Sequence, residues 1–273
     1  MVCSSYLGIS KGLQLREILE KLKRGEISVD DAEKALKVDV VQKVEGIARL
    51  DVSRATRRGV PEIILAEGKS EDDLIAICKT MLNHNQKAIV SRLSDPQFIR
   101  LTENFESSCV LDKFTHARSA VIRQKNFVPR MTGGRVGILT AGTSDLGVAE
   151  EAQMIANEMG CQTFLEADAG VAGIHRLTEP LITLIKNDVD CLIVIAGREG
   201  ALPTVVAGLV DIPLISVPTS SGYGYGGKGT AALMAMLQAC SLGLAVVNID
   251  SGIAAGVVAS QIANRVAQAR QSH

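Results

Sequence analysis

The chain has 273 residues, a formal net charge of −1, 47% hydrophobic residues and no tryptophan. Lys and Arg are scattered apart from Arg57-Arg58, so there is no basic stripe for nucleic acid. No apolar run reaches the ~18–20 residues of a membrane span, and the first twelve residues lack a signal-peptide layout; a soluble, cytoplasmic protein without nucleic-acid or membrane partners is expected.

The length exceeds the usual single-domain size, and three segments are predicted: a helical segment over 1–58, a small α/β module over 59–132 and a larger α/β domain over 133–273. From Gln14 to Lys37, apolar residues fall at helical spacing on either side of Gly25, predicting a helical hairpin. Ser28 is a candidate N-cap, with Asp31 three residues on. Between Val60 and Arg123, β-type runs (Glu62–Ala66, Lys87–Ser91, Ser119–Arg123) alternate with helix-type runs (Glu71–Asn83, Pro96–Glu103). Asn126 to Gly134, with Pro129 and two terminal glycines, is the best boundary.

From Arg135 the rhythm is regular. Apolar runs Val136–Thr140, Thr163–Ala167, Cys191–Ala196, Leu214–Val217 and Leu244–Ile249 are each followed by a loop and an apolar-periodic helix. Near-continuous apolar strands joined by helical crossovers force parallel pairing with both faces covered. The prediction is a flavodoxin-like doubly wound sheet in the order 2-1-3-4-5.

Ligands of such sheets bind beyond the carboxyl ends of the strands. The first loop there carries Thr143, Ser144 and Asp145, whose hydroxyls and amides suit a phosphate or ribose; the same run also serves as an ordinary N-cap. The second, Asp168 to Arg176, places two glycines before His175 and Arg176, an anion-binding or acid–base pair if not a structural one. The third, from Gly197, carries Glu199, placed to orient a ribose or shuttle a proton unless it only pairs with Arg198 in solvent. The fourth, Pro218 to Gly229, opens with Thr219, Ser220 and Gly222, and so much glycine implies close approach to something. Gly222, Gly224 and Gly227 form a formal GxGxxG, and Gly229 stands where a P-loop needs Ser or Thr. Because the loop follows the fourth strand, neither a dinucleotide fingerprint nor a P-loop is read from it.

The six cysteines show no CxxC spacing and no paired histidines, which argues against zinc or a disulfide framework. They read as free thiols, mostly buried. Cys240 is predicted to close the fourth helix, with Gly243 at C′. A helix C-terminus disfavours thiolate and lies at the edge opposite the ligand loops, so Cys240 joins a site only if another subunit supplies it.

The segments Gly142–Asp145, Val171–Arg176, Ala196–Leu202, Val217–Ser220 and Val246–Asp250 together resemble the LarB family. That family makes the nickel pincer nucleotide of lactate racemase, and its C-terminal half is similar to PurE-type aminoimidazole ribonucleotide carboxylases. The resemblance implies carboxylation of the pyridinium ring of nicotinic acid adenine dinucleotide and hydrolysis of its phosphoanhydride. The products are pyridinium-3,5-biscarboxylic acid mononucleotide and AMP. It also implies CO2 or bicarbonate as co-substrate, no tightly bound cofactor, Mg²⁺ as a candidate activator, and a homo-octamer with shared sites.

Cys240 matches the family's covalent nucleophile. By the same resemblance, Glu199 and His175 are expected to compete for proton transfer, Asp145 to contact ribose or a metal, and Ser144 with Arg176 to hold phosphate. Thr143, Gly197, Thr219, Ser220 and Gly222 complete the substrate-binding set. The chain departs from the purine enzymes at Arg198-Glu199-Gly200 and Gln238-Ala239-Cys240. Two other readings stand beside this one: a purine-biosynthetic mutase, and a non-catalytic dinucleotide-binding module.

Overall fold

A computed structural model describes residues 18–29, 31–32, 41–44, 48–52 and 54–271. The chain forms two compact units, Met1–Val60 and Pro61–His273. In the first, residues 18–23 are helical and Gly25 turns the chain at φ +72°. The Ser28 hydroxyl accepts the Asp31 N–H at 3.1 Å and donates to the Asp31 carboxylate at 2.7 Å, so the cap forms locally. The rest of the predicted hairpin lies outside the described residues. Strands β1 (Val41–Val44) and β2 (Ala48–Asp51) pair antiparallel, and α1 covers Arg54–Arg58.

The second unit opens with a four-stranded sheet in the order β3-β4-β6-β5, formed by β3 (Ile63–Leu65), β4 (Lys87–Ser91), β5 (Cys109–Phe114) and β6 (Ser119–Gln124). β3 and β4 are parallel, and the other pairs are antiparallel. Helices α2 (Glu71–Asn85) and α3 (Asp95–Phe105) begin at the serine caps Ser70 and Ser94. The second has a full capping box with Gln97, whose side-chain amide also ties Ala66 O and Lys69 O at 3.0 and 2.8 Å.

β5 was not predicted. Its alternating sequence leaves Val110 and Lys113 exposed at the sheet edge, a weaker pattern than the buried runs beside it.

The larger sheet comprises β7 (Arg135–Thr140), β8 (Gln162–Glu166), β9 (Cys191–Ala196), β10 (Leu214–Pro218) and β11 (Leu244–Val246). All pairs are parallel in the order β11-β10-β9-β7-β8. Counted from β7 and read from the β8 edge this is 2-1-3-4-5, the predicted flavodoxin-like order. β11 stops at Val246 rather than Ile249, because the Asn248 side chain takes the Ile249 N–H at 2.9 Å and turns the chain out of the ladder.

Helices α4 (Leu146–Glu158) and α8 (Gly252–Gln271) cover one face; α5 (Thr178–Lys186), α6 (Ala201–Ala207) and α7 (Thr230–Leu237) cover the other. α4 and α8 meet along small residues. A Cβ on Gly252 would sit 2.2 Å from Val148 O, and one on Gly256 would sit 2.7 Å from Ala152 O. Neither obstacle is a movable side chain. Gly256→Val is therefore expected to destabilise the fold by about 2–3 kcal/mol through overpacking, read as a lower midpoint in urea unfolding.

α4 also carries the four-stranded sheet. Glu158 at its last turn has a side chain only 4% exposed; it pairs with Lys87 of β4 at 2.7 Å and with Arg123 of β6, which also pairs with Asp112 of β5. Near the start of the same helix, Glu150 accepts the Ala117 N–H at 3.0 Å and pairs with His116 Nδ1 at 2.6 Å.

Candidate functional site

Parallel pairing brings the loops after β7, β8, β9 and β10 to one edge. Asp145 is their buried centre, 2% exposed, on a single 3-10 turn (Thr143–Asp145) that leads into α4. The Thr219 hydroxyl donates to Asp145 Oδ1 at 2.7 Å, and the Ser221 hydroxyl reaches the same oxygen at 3.0 Å. The two hydroxyls lie 2.8 Å apart, and Oδ2 accepts the Gly142 N–H at 3.1 Å. The carboxylate thereby pins the fourth loop to the first.

The loops interlock elsewhere through glycine. A Cβ on Gly170 would meet Ala141 O at 2.7 Å, one on Gly197 would meet the Ser221 hydroxyl at 2.2 Å, and one on Gly222 would meet Arg198 N at 2.9 Å. Any side chain at Gly197 would push the hydroxyls off Asp145.

Around this buried centre the remaining predicted residues are presented to solvent. Thr143, Ser144, His175, Arg176, Glu199 and Ser220 are exposed. Arg176 is held by Asp168 at 3.1 Å and Gly170 O at 3.4 Å. Arg198 lies 4.2 Å from the Tyr223 ring centroid instead of pairing with Glu199. Ser220 differs from its neighbours: its N–H donates to Asp250 at 2.8 Å, and the bonds to Asp145 come from Thr219 and Ser221 instead.

Ser221 was missed by the sequence reading, which took Thr219, Ser220 and Gly222. Ser220 and Ser221 both lie in the turn after β10, where no strand alternation separates the inward hydroxyl from the outward one, so local sequence carried no signal for Ser221. Asp145, the candidate for Mg²⁺, already takes three protein donors. Among the described residues no three His, Cys, Asp or Glu side chains gather as a metal site.

Cys240 lies elsewhere. α7 ends at Leu237 with Gln238 as its cap, so Cys240 does not close the helix and Gly243 is not its C′ residue. The Ser241 hydroxyl donates to Thr204 O at 2.8 Å, drawing the segment off the helix axis into a loop. The loop ends at Gly243, whose carbonyl accepts the Leu214 N–H at the amino edge of β10. Cys240 therefore sits at the edge opposite Asp145, exposed and outside the helix. Burial pushes the Cys78 and Cys191 thiols up to about 12 and raises that of Cys161. These three are inert hydrophobes.

A cleft of about 830 Å³ opens beside the Asp145 turn, between the loops of the four-stranded sheet and a stripe formed by Ser144 of that turn with Gly147, Val148 and Glu151 of α4. Glu151 is 8% exposed; burial raises its carboxyl to about 7, against the pull of Arg92 and the Ile253 N–H, and Asp250 adds to the rise. The folded carboxyl keeps its proton up to about pH 7 while the unfolded one ionises near 4.5, so the fold loses stability as pH rises across that window. Glu151→Gln is expected to melt higher than the native protein at pH 8, by up to about 3 kcal/mol at ~1.4 kcal/mol per pH unit, and to match it near pH 4. Thermal melts at the two pH values check this.

The sheet order, with a hydroxyl-lined and glycine-lined carboxyl edge, is that of a flavodoxin-like α/β protein and fits the PurE-like class. Residues 135–272 match the AIR carboxylase family, and residues 41–124 match the LarB/PurE-like N-terminal domain. The chain is 41% identical to an uncharacterized protein of Methanocaldococcus jannaschii over 92% of its own length and 98% of that protein's. Two N5-carboxyaminoimidazole ribonucleotide mutases are similar over less of the chain. That of Methanocaldococcus jannaschii is 35% identical across 46% of this chain and 76% of its own length; that of Thermotoga maritima is 29% identical across 47% and 74%.

The chain belongs to the LarB/PurE-like family, and that membership supports a carboxylase-type activity. None of the described helices is long and apolar enough to cross a membrane.

Proposed function

We propose that the protein carboxylates the pyridinium ring of nicotinic acid adenine dinucleotide and hydrolyses its phosphoanhydride, releasing pyridinium-3,5-biscarboxylic acid mononucleotide and AMP. The observation that carries this reading is the exposed Cys240 thiol, in a chain that pairs the LarB-type N-terminal domain with the PurE-like one. The similarity to the purine mutases covers only about half of the chain, 46–47%.

A pyridinium ring is electron-poor and does not attack CO2. Addition of the Cys240 thiolate at ring C4 sends an electron pair to the ring nitrogen and makes C5 an enamine carbon. C5 then bonds to the carbon of CO2, a base takes the C5 proton, and the C4–S bond breaks as the ring regains aromaticity. Glu199 and His175 are the two groups for that proton; both are exposed at the carboxyl edge, and neither makes a hydrogen bond or ion pair within the described chain. Asp145 orients the Thr219 and Ser221 hydroxyls toward the ribose, Ser144 and Arg176 take phosphate, and Thr143, Gly197 and Gly222 line the same edge. With its oxygens satisfied by protein donors, Asp145 is assigned to this orienting work rather than to Mg²⁺. Water attack on the phosphoanhydride breaks its bridging P–O bond and frees AMP.

Because Cys240 and Asp145 lie at opposite edges of one sheet, the thiol reaches a substrate on Asp145 only from another copy. The exposed side chains Met234, Leu237 and Leu242 around Cys240 support a homo-oligomer, which by the family resemblance is an octamer.

Mass spectrometry of small molecules after incubation with nicotinic acid adenine dinucleotide and bicarbonate, with and without Mg²⁺, tests the proposal. AMP and the biscarboxylated mononucleotide are expected. Their absence, with turnover of a carboxyaminoimidazole ribonucleotide, assigns the protein to purine chemistry instead.

A further inference from the structure

Apart from Ser144, no residue of the cleft beside α4 is used by the steps above. Its upper wall is built from the carboxyl ends of the parallel strands β3 and β4 and from the β5–β6 turn, the same kind of edge that carries ligands in the larger sheet. Its floor runs from Ser144 on the 3-10 turn to Glu151 on α4, seven residue steps that span about 10 Å at the helical rise. At about 830 Å³ it has the size of a small-molecule site, for which ~300–1,000 Å³ is usual.

Three lining residues hold left-handed backbone that side chains rarely adopt: Arg92 at φ +55°, Arg118 at φ +49° and Asp250 at φ +54°. Such conformations persist where the surroundings over-determine them, and they gather at functional sites.

The charges are arranged for an anion. Arg118 is pre-positioned, with Nε on Leu93 O at 2.7 Å and Nη2 on Asp95 at 2.6 Å. The Lys69 ammonium makes one hydrogen bond, to Leu65 O at 2.6 Å, and no ion pair within the described chain; Arg92 is held only by an exposed contact with Glu67 at 3.4 Å. Burial raises the floor carboxyl of Glu151 to about 7, so near neutrality it carries only part of a charge, which reduces the repulsion an anion would meet there. Leu93, Ala117 and Val148 supply apolar walls, and Glu67 and Asp250 are acceptors of the kind that bind ribose hydroxyls.

We infer that this cleft is a second nucleotide subsite, which holds the adenylate half of the dinucleotide by Lys69 and Arg92 while the pyridinium half lies over the Asp145 cluster, with Ser144 at the junction. This rests on the dinucleotide reading of the preceding section. Ser144 belongs to both the phosphate-binding turn and the cleft floor, so the two halves of one pyrophosphate-linked ligand are served from one residue outward.

Calorimetric titration of the full-length protein with AMP and, separately, with nicotinic acid mononucleotide tests the assignment. In the double variant Lys69→Ala, Arg92→Ala the dissociation constant for AMP is expected to rise by about tenfold or more while that for the pyridinium mononucleotide is unchanged. In the native protein, AMP should also shield Lys69 from amine acetylation mapped by peptide mass spectrometry, a readout independent of whether the variant folds. No saturable AMP binding at millimolar concentration, equal AMP affinity in the variant, or unprotected Lys69 overturns the inference. AMP binding in the cleft by a protein that does not carboxylate the dinucleotide removes the proposed reaction and leaves the subsite standing. Turnover with AMP affinity indifferent to Lys69 and Arg92 does the opposite.

Discussion

Cys240→Ala is expected to abolish carboxylation of nicotinic acid adenine dinucleotide, by about 10³-fold or more, while the protein melts within about 1 °C of the native. The two halves of this expectation have separate origins. Cys240 is exposed in the loop after α7 and belongs to neither core cluster of the larger sheet, so its loss leaves that core as it was. Among the other described cysteines, Cys78, Cys161 and Cys191 are buried with their thiols held protonated, and Cys109 lies half-buried on β5 of the smaller sheet, so none of them is placed to make C5 nucleophilic in its stead. Intact-protein mass spectrometry supplies a second readout. The native protein should carry a dinucleotide adduct when bicarbonate is withheld, and the variant should carry none. A variant that still carboxylates the dinucleotide refutes the covalent mechanism.

The largest stability effect is expected at Glu158→Ala, about 3–5 kcal/mol, because it strands two part-buried cations that share one carboxylate. For a unit of this size that corresponds to a fall in melting temperature on the order of 10 °C. Glu158→Gln keeps the volume but not the charge and should recover only a minor part. The lost charge also uncouples β4 and β6 from the end of α4, so hydrogen exchange should accelerate in the four-stranded sheet ahead of β9, whose residues are buried throughout. Uniform acceleration in both sheets would show that Glu158 does not join them in this way.

The doubly wound sheet was legible because its strands are buried on both faces and their apolar runs leave little ambiguity: Cys191–Ala196 was read to the residue. β5 was not legible, since an edge strand with Val110 and Lys113 turned outward lacks that signature. The Cys240 helix end was misplaced because a single tertiary hydrogen bond, Ser241 to Thr204 O, decides where α7 stops. Asp145 could be picked from its loop, but its three donors come from residues up to 76 positions away in the chain, and no local pattern announces them. The cleft was invisible for the same reason. Lys69, Arg92 and Arg118 are far apart in sequence and meet only because β3, β4 and the β5–β6 turn share an edge; Glu151, a carboxylate among the alanines that α4 turns inward, was the one clue on offer.

The placement of Asp145 and Cys240 on opposite edges has a kinetic consequence. Under the proposed mechanism each subunit is a donor at one end and an acceptor at the other, so an isolated chain holds all the required groups and yet cannot turn over. Specific activity should then collapse on dilution below the assembly threshold, and it should reappear when a thiol-less chain is co-assembled with one lacking the Asp145 carboxylate, two inactive proteins giving one active one.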